Sequence, residues 1–279
     1  MDPGEQRRVR LENWAAMAPG WEREREERQR VAAPVTDWLV RELGPNPGDV
    51  VLELAAGQGD VGFALAPLLG ESGRLITSDF SAAMLDIARR RGEELGLANV
   101  EFRELDAEAL DLEDQSVDGV VCRWGYMLMP NPATALAETR RVLRDGGRLV
   151  FAVWASGDLN PWISLAGRIM VAHGHMPPPA PDEPGMFVLG HEEKLRALVE
   201  SAGFTHVAID GVPVQTEYRD VDEYVRRSNE MGGMFSRAWS AAGDAEREAM
   251  TEEFRGAFEP FAADGGYTLP GLAHCVRAS

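Results

Sequence analysis

The order of apolar and polar positions divides the chain into alternating short strands and amphipathic helices. Residues 11–43 carry a helical pattern, and within it Trp21–Arg30 alternates Glu and Arg at the spacing of a solvated face. Gly44-Pro45-Asn46-Pro47-Gly48 ends that helix. Strands are then predicted at Val50–Leu54, Arg74–Ser78, Asn99–Glu104, Gly119–Arg123 and Arg148–Trp154. Between them fall a helix over Val61–Leu69 and one capped by Ser81 that buries Met84, Leu85, Ala88 and Leu95. Another is capped by Asn131, has Pro132 in its first turn, lines up Leu136, Val142 and Leu143, and stops at Gly146. After Trp154 the rhythm changes. A helix over Trp162–Val171 leads into a Pro-rich loop at Pro177–Pro184, then a helix at His191–Ala202 and a strand at Thr205–Tyr218. Asp222–Phe261 reads as helical with breaks at Gly232-Gly233 and Gly243, and Tyr267–Arg277 makes a last strand.

Strands alternating with helices at this spacing predict an α/β fold, doubly wound around a mostly parallel sheet. The changes of rhythm read as insertions into a single domain spanning 1–279. Its expected parts are N-terminal helices (1–46), a core (47–154), covering insertions (155–190 and 219–264), and segments completing the sheet (191–218 and 265–279).

Charge narrows the partners. The formal net charge of −18 argues against the extended basic surface that nucleic acid or an anionic membrane requires. Residues 93–118 hold ten acids against one arginine, half of that excess. The first thirty residues are charged throughout, so no signal peptide is expected, and no apolar run is long enough to span a bilayer. Two cysteines, Cys122 and Cys275, make no disulfide framework. The expectation is a soluble cytoplasmic protein. Lys194 is the only lysine, and the arginine excess is read as codon bias rather than as an anion-binding design.

The segment Glu53-Leu54-Ala55-Ala56-Gly57-Gln58-Gly59-Asp60-Val61-Gly62 satisfies the dinucleotide pattern G-x-G-x-x-G, with Asp79 ending the next strand. Glu53 opposes that reading, because a carboxylate at the strand's end repels a pyrophosphate and suits a ligand bearing an ammonium and a sulfonium. Lys194 has Gly190 four residues before it, so no Tyr-x-x-x-Lys pair exists, and no Gly-Lys-Ser/Thr phosphate loop occurs.

Taken together, these segments resemble the class I S-adenosylmethionine-dependent methyltransferases, most closely the small-molecule branch with the ubiquinone/menaquinone C-methyltransferases. Val51–Gly59 is similar to the family's first motif, with Ala55 and Ala56 in place of its more usual Gly and Cys. Ile76–Leu85 resembles the second, Leu105–Leu110 the adenine-binding stretch, and Val117–Trp154 the fourth strand, helix and fifth strand. The resemblance implies a Rossmann-like, seven-stranded sheet with N-terminal helices and helical lid insertions, and S-adenosylmethionine as cofactor with S-adenosylhomocysteine as product. It also implies roles. Ala55, Gly57 and Gly59 would let backbone approach the methionine moiety, and Glu53 would hold its ammonium directly or through water. Asp79 would take the ribose hydroxyls, with Phe80 and Met84 beside the adenine, whose edge Asp106 and Ala107 would read. Arg123 and Trp124 would lie near the donor, and Trp14 or Trp21 would close over the methionine end. Each has a structural alternative: a helix cap for Asp79, solvated surface for Asp106, core anchors for the tryptophans. Asp60 reads as a helix cap.

Methyl transfer from a sulfonium is an in-line displacement that asks mainly for alignment and exclusion of water. The acceptor site is expected after the strand ends, covered by the insertions. Tyr126, Met127, Met129, Trp154, Trp162, Met231 and Met234 are candidate lining residues, and core packing is the alternative for each. His173 and His191 are candidate general bases for a phenol or carbon acid. His173-Gly174-His175 lacks partners for a metal, so none is expected. Arg123-Trp124-Gly125-Tyr126 stands where amide-nitrogen methyltransferases carry Asn/Asp-Pro-Pro-Tyr. The expected acceptor is therefore the oxygen or carbon of a small hydrophobic metabolite. The alternative is a nonmethylating enzyme or binding protein on the same cofactor fold. A homodimer through the N-terminal helices or insertions is compatible with the sequence.

Overall fold

The computed structural model describes residues 3–178 and 183–279, so part of the expected Pro-rich loop lies outside the described residues. The chain forms α1 (Pro3–Arg23), α2 (Arg25–Leu43), β1 (Val50–Leu54), α3 (Asp60–Leu65), β2 (Arg74–Asp79), α4 (Ala82–Glu94), β3 (Val100–Glu104) and β4 (Val117–Arg123). Then come α5 (Pro132–Val142), β5 (Leu143–Trp154), α6 (Pro161–Ala172), α7 (Glu192–Ser201), β6 (Ala208–Tyr218) and α8 (Val221–Glu230). The last elements are α9 (Gly233–Ala241), α10 (Asp244–Phe258), β7 (Ala262–Ala263) and β8 (Gly266–Ala278). Seven strands run in the order β3-β2-β1-β4-β5-β8-β6, with the short β7 paired to β8. β1 through β5 are parallel, and β8 returns antiparallel to β5 with Trp154 opposite Ala273. This is the doubly wound, mostly parallel sheet that the sequence predicts. Val120, Val121, Cys122, Leu149, Val150 and Phe151 are fully buried, as strands covered on both faces require.

The helical expectations differ in detail. α1 begins near the N-terminus rather than at residue 11, and the helix is interrupted at Glu24. Ser81 occupies the N-cap of α4 without capping through its side chain. Leu95, expected in the core, is 58% exposed because α4 ends one residue before it. Asn131 caps α5 through Thr134 N as expected, but the helix ends at Val142, not Gly146. Leu143 is already extended and pairs with Val117, which leaves Gly146 (φ +78°) inside the irregular start of β5.

The chain divides into two compact units, one of Met1–Val31, Ser156–Pro181 and Pro213–Leu272, the other of Ala32–Ala155, Asp182–Val212 and Ala273–Ser279. The first is built around Tyr224, Phe254 and Phe258, all fully buried, with Tyr224 and Phe258 rings 4.8 Å apart. A Cβ on Gly20 would overlap Glu230 O, so only glycine lets α1 rest on the end of α8. The Glu/Arg ladder is not merely a solvated face: Glu24 and Glu27 receive Arg227 of α8 at 3.0 and 3.3 Å. The second unit holds the strand ends at which ligands of doubly wound sheets bind. There Trp38 of α2 donates to Asp210 (3.1 Å), and Leu43 packs against Gly119 of β4.

Candidate functional site

In the second unit the carboxyl ends of β1, β2 and β4 converge on the glycine turn. β1 lies between β2 and β4, so the chain's crossovers depart to opposite sides there, which opens a crevice. Gly57 (φ +56°) and Gly59 (φ +78°) are both left-handed, for different further reasons. A Cβ on Gly59 would strike the Phe63 ring at 2.5 Å, whereas one on Gly57 would meet nothing within 4 Å. Gly57 therefore turns bare backbone toward open space. Ala55 is left-handed as well (φ +50°), an uncommon state for a residue with a Cβ.

Two buried carboxylates brace this turn. Glu53 is 2% exposed; its Oε1 accepts from Gly62 N (2.8 Å) and its Oε2 from the Thr77 hydroxyl (3.2 Å). A Cβ on Gly62 would overlap Glu53 Oε2. The third glycine of the dinucleotide pattern is thus required by a carboxylate under α3, not by a pyrophosphate. Each Glu53 oxygen thus accepts one bond from the protein, which fixes the carboxylate beneath the turn. Burial pushes its carboxyl up to about 7, opposed by the hydrogen bond from Gly62. Asp79 accepts from Gly57 N (2.9 Å) through Oδ2 and from Ser81 N (2.9 Å) through Oδ1. It fixes the turn and starts α4, and burial pushes it up to about 6.

Three side chains that sequence reasoning left out complete the site. Gln58 is 2% exposed, and neither its amide oxygen nor its amide nitrogen has a partner among the described residues. Thr36 accepts from Arg123 (2.6 Å). Asp60, expected to cap α3, instead takes Arg123 at 3.0 Å and Arg91 at 2.8 Å. Arg91 also donates to Gln58 O. The signal was unreadable because Asp60 and its two arginines are far apart in sequence. Only Gln58 announces itself, as a polar residue between two glycines.

The remaining expected residues fall as follows. Asp106 Oδ1 accepts from Glu108 N (3.0 Å), and Ala107 is buried next to it. Leu105 N donates to Asp79 O (3.1 Å), which brings this stretch alongside the end of β2. Phe80 is half-buried, while Met84 is 1% exposed and belongs to the α4 core. Arg123 is fixed as above, and Trp124 stacks on Trp154 with centroids 4.4 Å apart. Tyr126 is fully buried, its hydroxyl on Thr139 (2.6 Å), and burial holds that phenol well above its usual range. Met127 is buried and Met129 half-buried. Tyr126 and Met127 are thus core residues rather than an open lining.

Trp14, Trp21, Trp162, Met231, Met234 and His173 belong to the first unit. Trp14 and Trp21 meet edge to face at 5.1 Å, with the Arg28 guanidinium 3.6 Å from the Trp21 ring centre. Trp162 packs against the aromatic core of its unit, Met231 is half-buried, and Met234 is 50% exposed. His173 Nε2 lies 2.8 Å from Glu253. His191 belongs to the second unit, exposed at the N-cap of α7. The two candidate bases thus fall in different units. Among the described residues, no group of three or more His, Cys, Asp or Glu is placed to hold a metal ion, and no helix is long and apolar enough to cross a membrane.

Residues 45–166 match the family model of a methyltransferase domain. The ubiquinone/menaquinone biosynthesis C-methyltransferase UbiE of Coxiella burnetii is 32% identical over 126 residues, 45% of this chain and 50% of that protein. The chain thus spans about half the length of the curated relatives it matches. Among solved structures, the YcgJ protein of Bacillus subtilis is similar at a TM-score of 0.61 and 17% identity, covering 87% of this chain and 96% of that one. The cyclase SpnF is similar at 0.57 and 19%, covering 90% and 82%. These structural likenesses extend the shared fold beyond the matched domain. The resemblance read from the sequence motifs is met by the family model over residues 45–166.

Proposed function

We propose that this chain is an S-adenosylmethionine-dependent methyltransferase acting on oxygen or carbon of a small hydrophobic acceptor. The observation that carries the reading is the glycine turn. Gly57 offers backbone with open space where a Cβ would stand, and the adjacent Gln58 holds a buried amide that nothing among the described residues satisfies. Buried polar groups are normally paired, so this amide calls for a polar ligand at the turn. Gly57, Gln58 and Gly59 would hold the methionine end of the cofactor. Asp79, whose oxygens keep lone pairs beyond the two N–H groups they accept, would take the ribose hydroxyls. Asp106 and Ala107 would read the adenine edge, with Phe80 against the ring. Glu53 would act beneath the turn, holding Gly62 and with it the start of α3.

The bound cofactor supplies a methyl group already activated on a sulfonium. The chain's own task is then positional. Asp79 fixes Gly57, the Arg123–Asp60–Arg91 bridge ties the ends of β4, α3 and α4, and the fully buried strands beneath keep the site rigid. The acidic surface supports a small acceptor over a nucleic acid.

Calorimetry with S-adenosylhomocysteine tests the cofactor reading. We expect saturable binding by the wild-type chain and at least tenfold weaker binding by Asp79→Ala; no binding at millimolar ligand would overturn the proposal. A tritiated-methyl transfer assay against phenols, polyketides and quinone precursors then tests the acceptor class and separates methyl transfer from other uses of the fold.

A further inference from the structure

The loop from β3 to β4, which carries Asp106 and Ala107, is shaped by α5 more than by packing. Among the described residues, 105–116 hold no helix or strand beyond one isolated bridge between Asp106 and Ala109. Asp111, Glu113, Asp114 and Gln115 are exposed, and a cleft of about 520 Å³ lies against Leu110–Asp114. What holds the loop is polar. Arg141 Nε donates to Glu138 Oε1 (2.8 Å), and its Nη1 to Leu112 O (2.8 Å) and Asp114 Oδ1 (2.7 Å). Its Nη2 donates to Leu110 O (2.8 Å) and Glu138 Oε2 (2.7 Å), so all five N–H groups of the guanidinium have an acceptor. Glu138 Oε2 also accepts from Leu110 N (2.9 Å), so both backbone groups of Leu110 end on one ion pair. The hydrogen bond from Arg141 holds the Glu138 carboxyl below its usual range. The other end of the turn is held as well: Leu105 N donates to Asp79 O (3.1 Å), and Glu108 Oε1 accepts from Asn131 N (2.8 Å). In sequence, Glu138 and Arg141 read as a solvated pair three residues apart, off the face of α5 that buries Ala135, Leu136, Thr139 and Val142.

We propose, resting on the methyltransferase reading, that the Glu138–Arg141 pair positions the adenine subsite: by gripping Leu110 it sets where Asp106 meets the base, and with it the preference for adenine over other purines. Neither residue touches the base. The turn between them and Asp106 is short and closed, with Ala109 N on Asp106 O (3.0 Å), so a displacement at Leu110 passes directly to Asp106. Lysine cannot replace Arg141, because an ammonium has three donors and no planar fork to reach two carbonyls and two carboxylates at once.

The test is calorimetry on the full chain with S-adenosylhomocysteine and with S-inosylhomocysteine, in which an oxygen replaces the exocyclic amine of the base. The wild-type chain should prefer the adenine form. Arg141→Lys keeps the charge and removes donors. It should weaken S-adenosylhomocysteine about fivefold or more, the scale of one lost hydrogen bond, and S-inosylhomocysteine about twofold or less. A merely structural role would lower the melting temperature and leave the ratio of the two affinities where it was. An unchanged ratio, whether both ligands weaken together or neither does, therefore overturns the proposal. So does a wild-type chain that binds the two forms equally. If Arg141→Lys does not fold, Glu138→Gln sets an amide nitrogen against one N–H of the clamp and is read by the same ratio. Absence of S-adenosylhomocysteine binding by the wild-type chain is the separate result that removes the methyltransferase reading, and this proposal with it.

Discussion

Glu53→Gln isolates the cost of the carboxylate beneath the glycine turn. The amide is isosteric: its oxygen can keep the Gly62 N–H, and its nitrogen can donate to a Thr77 hydroxyl that turns from donor to acceptor. In the folded chain burial raises the Glu53 carboxyl from 4.5 to about 7. The native state then binds the proton more tightly than the unfolded chain. Stability contributed by the protonated form is fully present below pH 4.5 and is lost as pH rises toward 7. At ~1.4 kcal/mol per pH unit, the interval amounts to ~3 kcal/mol. Urea unfolding of wild type and Glu53→Gln at pH 4.5 and pH 8 should give nearly equal stabilities at the lower pH. The variant should be more stable by ~3 kcal/mol at the higher one. The acids shared by both proteins cancel in the difference. An equal stability difference at both pH values would refute the argument, since the native carboxyl would then titrate like an exposed one.

Four further outcomes follow from the geometry. Gly57→Ala should fold, at a cost of about 1 kcal/mol for a left-handed alanine, and weaken S-adenosylhomocysteine at least tenfold by calorimetry; Gly62→Ala should lose about 1–3 kcal/mol in urea by overpacking Glu53. Tyr126→Phe should cost about 1 kcal/mol, from the lost bond to Thr139, and leave the KM for the methyl acceptor unchanged in steady-state kinetics. Arg227→Ala should lower the stability of the first unit by about 1–3 kcal/mol in thermal melts, more than Arg227→Lys, because the half-buried guanidinium serves Glu24 and Glu27 together.

The parallel core was legible because its strands are buried on both faces and so appear as apolar runs, and because Asn131-Pro132 states a helix start in two letters. Helix ends were less so. Gly146 looked like the stop for α5, but Leu143 had already been drawn into pairing with Val117. Within the site, Gly57, Gly59 and Asp79 could be placed from one continuous stretch and the strand after it. The Thr36–Arg123–Asp60–Arg91 chain could not, since it joins four elements and no local pattern pairs residues so far apart in sequence. The same limit misread Glu24 and Glu27, whose partner Arg227 lies some 200 residues onward. Tyr126 and Met127 share their residue types with pocket walls, and only burial separates the two uses.

The first unit is assembled from stretches at residues 1–31, 156–181 and 213–272, and Gly20 of α1 rests on the end of α8 at Glu230. On a ribosome that adds about 5–20 residues per second, α1 waits ~10–40 s for that seat. During this time the helix that carries Trp14, Met17 and Trp21 has none of its native partners on α8. The run of glutamates and arginines from Trp21 to Arg30, which leads from α1 into α2, then serves as a solubilising coat before it becomes a docking strip. The codons between Arg30 and Asp220, more than any single contact, set how long this part of the newborn chain is exposed to chaperones and to other unfinished chains.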